Sequence, residues 1–122
     1  MNVRKYQGTS YKNPPCWRLV AHALADRGVL LPDFSPEHAS HEDIATAFRI
    51  AIHNAPGWAE QVAAPQDYDM VLMARCDRMD FHHIGIWWNG KILHALPSGV
   101  WYQPASLVRD EFRKEFEFWR VK

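Results

Sequence analysis

The sequence predicts an α+β fold in which N-terminal helices pack on an antiparallel sheet of about five strands. Three observations carry that expectation. Apolar residues in the first half recur at helical spacing, whereas those in the second half alternate or run in short β-rich blocks. Asn89-Gly90 separates two such blocks, and both residues tolerate the positive φ of a two-residue hairpin turn. The chain has 122 residues, 48% of them hydrophobic, which suits one core, so residues 1–122 are expected to form a single domain.

Residues 1–13 read as an extended lead-in with a turn at Gly8. Asn13-Pro14-Pro15 reads as a helix start, with Asn13 as the cap and Pro14 in the first helical position, where its missing N–H is not needed. Trp17, Val20, Ala21 and Leu24 form the buried stripe of that helix and Gly28 stops it. This register places Cys16 in the first turn. Leu30 to Pro36 reads as a loop. Ser40 opens a second helix with Glu42 and Asp43 in its first turn. Ile44, Ala47, Phe48, Ala51 and Ile52 make its buried face, and Asn54-Ala55-Pro56-Gly57 ends it. Trp58 to Ala64 reads as a further short turn of helix.

Strands follow. Met70 to Ala74 is an apolar run with Val71 and Met73 on one face. Phe81 to Trp88 and Lys91 to Leu96 flank the Asn89-Gly90 turn, and Pro97-Ser98-Gly99 turns into Val100 to Gln103. Pro104 to Phe112 suits a helix, and Phe116 to Val121 alternates like a final strand.

Lys+Arg and Asp+Glu number 14 each, so the formal charge is zero and bulk attraction to nucleic acid or an anionic membrane is not expected. Seven histidines would make the chain positive in mild acid. Two cysteines, Cys16 and Cys76, are too few for a disulfide scaffold, and Cys76, before the charged turn Asp77-Arg78, reads as structural or incidental. The stretch MNVRKYQGTSYKN has no apolar core and no apolar run approaches a membrane span. The expectation is a chain made in the cytoplasm without a signal peptide.

The hairpin turn fixes a register in which Trp88 faces Lys91 and Gly85 faces His94. Alternation then puts His83, Gly85, Trp87 and His94 on one side, with His83 and His94 as diagonal neighbours roughly 7–8 Å apart at the backbone. Gly85 leaves room beside His94. His82 points to the other face and leaves the site. A thiol in the first turn of a helix together with two imidazoles on one sheet face supplies the parts of a cysteine-nucleophile site. A zinc site from Cys16, His83 and His94 would lack the closely spaced ligand pairs of zinc motifs, so neither metal nor cofactor is expected.

The same segments resemble the NlpC family of cell-wall cysteine peptidases, papain-like in fold, and its phage-tail branch in particular. Members typically show Gly-x-Pro-Tyr, then Asp-Cys-Trp-Gly-Leu-Val, Gly-Asp followed by three apolar residues, His-(Val/Ile)-Gly-Ile-aromatic, and an apolar-apolar-His-Ala strand. The matching stretches are Gly8-Thr9-Ser10-Tyr11, Cys16-Trp17-Arg18-Leu19-Val20, Tyr68-Asp69-Met70-Val71-Leu72, His83-Ile84-Gly85-Ile86-Trp87 and Ile92-Leu93-His94-Ala95. Val100-Trp101-Tyr102-Gln103-Pro104 is similar to the strand and turn that follow in tail proteins. Pro15 stands where the family has Asp, Arg18 where it has Gly, and the segment between Tyr11 and Cys16 is shorter and lacks glycine.

The resemblance implies Cys16 as nucleophile, His83 as general base and His94 as the residue that orients it. Tyr11 would help bind the oxyanion, and Trp17, Arg18 and Trp87 are the candidates for substrate contact, Arg18 either crowding the groove or binding a carboxylate. It further implies hydrolysis of peptide bonds in peptidoglycan stem peptides, often between D-glutamate and the diamino acid, and phage tail proteins as partners. The helix start and an imidazolium at His83 would depress the Cys16 pKa. Two alternatives stand beside this: a non-catalytic tail-assembly module that keeps the fold, and an amidase or acyltransferase with the same thiol chemistry.

Overall fold

A computed structural model describes residues 1–31, 40–53 and 57–122. Against the expected extended lead-in, Val3–Gln7 coils into a short helix (α1), closed by the Gly8 N–H donating to the Arg4 carbonyl at 3.0 Å. The next helix, α2, spans Pro15–Ala25. It begins one residue later than the sequence suggests: Pro14 is the cap, without a side-chain cap bond, and Pro15 takes the first helical position. Gly28, at φ +79°, ends it through a Schellman motif, with Val29 N–H donating to Leu24 O (3.0 Å) and Gly28 N–H to Ala25 O (2.9 Å). Its buried face is wider than the expected stripe, taking in Leu19 and Ala23, while Ala21 stays half-exposed.

Helix α3, His41–Phe48, opens with a complete capping box: Asp43 N–H donates to Ser40 Oγ and Ser40 N–H to Asp43 Oδ2. A wider π-type turn, Arg49–His53, continues it. Most of the expected loop (32–36) and most of the expected helix stop (54–56) lie outside the described residues.

The sheet has six antiparallel strands rather than about five: β1 Ala59–Val62, β2 Met70–Met73, β3 His83–Trp88, β4 Lys91–Leu96, β5 Gly99–Pro104 and β6 Glu117–Val121, in spatial order β1-β6-β2-β3-β4-β5. The extra strand is β1, in the stretch expected to be helical. Its sequence has weak periodicity, and its conformation is set by pairing with β6, Ala59 opposite Val121. Between β5 and β6 lies α4, Ala105–Glu111. None of the described helices is long and apolar enough to cross a membrane.

Strand alternation sorts the sheet side chains into two cores. One face presents Met70, Leu72, Ile84, Ile86, Leu93 and Ala95 to α2 and α3, whose Leu19, Val20, Leu24 and Phe48 fill the layer between. The other presents Val71, Met73 and Ile92 to Val108 of α4 and to Phe112 and Phe116. Asp69, buried before β2, is held by Arg120 of β6 through two hydrogen bonds of 2.9 and 2.8 Å, which tie the sheet's middle to its first half.

Leu19 is fully buried between α2 and the sheet. Leu19→Ala should lower the unfolding free energy by about 2–5 kcal/mol in urea titrations while leaving the urea m-value unchanged.

Candidate active site

The Asn89-Gly90 turn has φ of +49° and +79°, the two left-handed residues of a type I′ hairpin. It delivers the expected register: Trp88 opposite Lys91, Trp87 opposite Ile92 and Gly85 opposite His94. His83 and His94 are thereby diagonal neighbours, and His83 Nε2 lies 2.9 Å from His94 Nδ1. The rings meet edge to face, centroids 5.1 Å apart at 81°. Gly85 makes that approach feasible. A Cβ there would lie 2.8 Å from the Leu93 carbonyl oxygen and 3.2 Å from His94 Cβ, so any side chain would push the strands or the His94 ring aside.

The histidine pair belongs to the sheet face covered by α4, whereas Cys16 starts a helix on the opposite face. They meet around the end of the sheet. His83 is the first residue of β3, so its ring sits at the strand's mouth, where the first turn of α2 also arrives. A cleft of about 230 Å³ opens there, with Cys16, His41, Arg75, His82, His83 and Phe112 in its wall. Cys16 and His83 thus share one cavity, although they are only 4% and 5% exposed. Among the described residues, no hydrogen bond joins the thiol to the His83 ring.

Burial dominates the electrostatics. It pushes the Cys16 thiol up to about 11, against a partial downward pull from the backbone N–H groups of Ile84, Trp17 and Cys16 itself. It also holds His83 well below the usual histidine value, helped by His94, His82, Arg75 and His41 nearby. His94 is lowered by burial too, offset by its bond to Gln103 and by Glu111. The depressed thiol pKa expected from the helix start is therefore not what the structure gives. Desolvation outweighs the pull of the backbone N–H groups around the thiol, and no imidazolium is present to help. At neutral pH the pair rests as thiol and neutral imidazole.

The four expected substrate or oxyanion residues do not reach the cleft. The Tyr11 hydroxyl is bonded to His22 Nδ1 at 2.8 Å, two turns along α2 from its start. Trp17 is buried in the helical core beside Phe48, ring centroids 5.7 Å apart. Arg18 Nε points back to the Asn13 carbonyl oxygen at 3.4 Å. Trp87 does share the histidine face, but it packs edge-on against Phe118 (5.8 Å) in the second core. Conversely, His82, expected to leave the site, lines the cleft. It precedes β3, so strand alternation does not govern it. Its Nδ1 lies 3.1 Å from the Asp80 carbonyl, its ring stacks on His41 of α3 at 4.4 Å, and its buried Nε2 has no hydrogen-bond partner among the described residues. Cys76 is exposed in the turn after β2.

Two contributors were not singled out from sequence. Phe112, just after α4, stacks flat on His83 with centroids 4.5 Å apart and 5° between planes. Gln103 Oε1 of β5 lies 2.9 Å from His94 Nε2. Gln103 was within reach of sequence reasoning: the two-residue Pro97-Ser98 turn pairs Ile92 with Gln103, which makes Gln103 a diagonal neighbour of His94. Phe112 had no such signal, because its placement depends on how α4 returns over the sheet. Among the described residues no group of three or more His, Cys, Asp or Glu side chains could hold a metal ion.

No protein-family model and no curated protein matches the chain.

Two measurements check the electrostatics. Under limiting iodoacetamide the exposed Cys76 should be carbamidomethylated before Cys16, and the Cys16 rate should keep climbing toward pH 11, read by peptide mass mapping. Acid should also destabilise the fold. His83 and His94 have folded pKa values below the unfolded value of 6.5, so their contribution is complete above about pH 6.5 and is lost as pH falls through the folded values. The urea midpoint should therefore fall below pH 6.5, and less steeply in His83→Gln.

Proposed function

We propose that this chain is an NlpC-type cysteine peptidase, papain-like in architecture, that hydrolyses amide bonds in peptidoglycan stem peptides as part of, or in relation to, a phage or prophage tail. The observation that carries this reading is the cleft that Cys16 shares with His83, whose ring is held by His94. The ordered family pattern noted above supports the identity of the family. So does Tyr68, which stands where that pattern has glycine and adopts φ +71°, a conformation glycine ordinarily supplies.

In this reading His83 acts as a true general base, because the resting pair is neutral. Its free nitrogen takes the thiol proton as Sγ bonds to the amide carbon. The carbonyl oxygen becomes an oxyanion beside the backbone N–H of Cys16, in the first turn of α2. The His83 imidazolium then gives its proton to the departing amine, the C–N bond breaks, and a thioester remains on Cys16. Water, deprotonated by His83, adds to the thioester; the C–S bond breaks and the thiolate recovers the proton. His94 orients the His83 ring throughout. Being neutral, it stabilises the imidazolium less than a carboxylate would.

The deep burial of Cys16 and its raised pKa favour a second reading, a tail-assembly module that keeps the fold without the chemistry. Purified muropeptides separate the two. The peptidase releases new peptide fragments whose ends name the bond cut, and transfer to an added amine would mark an acyltransferase. Cys16→Ala and His83→Ala should abolish cleavage with circular dichroism and melting near wild type, and His94→Ala should leave a weak residue of activity. Intact muropeptides after prolonged incubation with wild-type protein, or full activity in Cys16→Ala, would favour the module.

A further inference from the structure

The hydrogen-bonded row that ends at His83 does not stop at His94. Gln103 Oε1 lies 2.9 Å from His94 Nε2, and across the same ring His94 Nδ1 lies 2.9 Å from His83 Nε2. Every nitrogen in such a row is either a donor or an acceptor, and a neutral imidazole carries one proton. The direction of the first link therefore dictates all the rest.

With the amide oxygen facing His94, Nε2 of His94 must carry the proton and donate it. His94 Nδ1 is then an acceptor and takes the Nε2–H of His83. That leaves His83 Nδ1 with a lone pair, able to receive a proton from Cys16. If the Gln103 amide were turned over, its NH₂ would donate to His94 Nε2, His94 Nδ1–H would donate to His83 Nε2, and the His83 proton would sit on Nδ1. A ring in that state cannot act as a base from that nitrogen. Burial makes the choice matter, since His94 is 1% exposed and water is not at hand to correct the wrong direction.

We propose that Gln103 is a positioning residue whose amide oxygen sets the proton direction through His94 and so keeps Nδ1 of His83 unprotonated. This deepens the peptidase reading and rests on it for its catalytic consequence. The groups that face the histidine pair are His41 from α3, Arg75 and His82 from the cleft wall, Glu111 from α4 and the Phe112 ring, and none of them is bonded to His94 Nε2 in place of Gln103.

Imidazole ¹⁵N correlation spectra of the full chain, recorded at neutral pH, read the tautomers without reference to activity. Wild type should show both His83 and His94 protonated at Nε2. Gln103→Glu, an acceptor only, should keep both tautomers and move the acid limb of the pH profile upward by about 1 pH unit, because a carboxylate favours the imidazolium. Gln103→Leu should populate the reversed tautomers and lower kcat with little change in KM. If Gln103→Leu does not fold, wild type and Gln103→Glu still decide the matter. Nδ1 protonation of His94 in wild type, or tautomers unchanged in folded Gln103→Leu, would overturn the role of Gln103 whatever the activity. Tautomers as stated but no cleavage of muropeptides would leave the positioning intact and sink the peptidase reading instead.

Discussion

Two residues with left-handed backbone, Asn89 and Gly90, set the register on which the site depends. A two-residue turn allows no slip, and a slip of one residue would send His94 to the helical core. The register places Gly85 opposite His94, and the missing side chain at Gly85 lets the His83 and His94 rings meet. The next hairpin is likewise closed by a two-residue turn, Pro97-Ser98, without left-handed residues at those two positions, and it adds Gln103 to the row. Three strands thus build a rigid line of polar groups inside an otherwise apolar layer, with Phe112 pressed flat against its inner end. Cys16 comes to that line from the other layer, around the mouth of β3.

Burying the Cys16 thiol and the His83 imidazole has two opposed effects on the proposed chemistry. Desolvation keeps both groups neutral, which weakens the thiol as a nucleophile in the resting protein. It also strengthens each hydrogen bond in the row and keeps bulk water from competing with it. Under the proposed peptidase reading, the thiol proton moves to His83 only as a substrate carbonyl enters and the carbon–sulfur bond forms. Cys76, by contrast, is exposed in the turn after β2.

Local chemistry was legible in the sequence wherever one turn or cap decides the outcome. The Asn89-Gly90 register, the Ser40 cap of α3, the Gly28 stop and the first-turn position of Cys16 each follow from two or three neighbouring residues. Features decided by distant partners were not. β1 is a strand because β6 pairs with it, Tyr11 turns to His22 rather than the cleft, and Phe112 reaches His83 only through the path of α4. His82 escaped because alternation was extended one residue past the strand's start. The thiol pKa escaped for a similar reason: the helix dipole can be read from sequence, but the depth of burial that outweighs it cannot.

The most direct measurement is acid-quenched mass spectrometry of the protein mixed with purified stem peptides, followed over the first turnovers. The expected result is a transient mass increase equal to the acyl half of the substrate, confined to the peptide that contains Cys16, with the amine half released at the same time. Absence of any cleavage product, an adduct on another residue, or cleavage at full rate after Cys16 has been alkylated would contradict it.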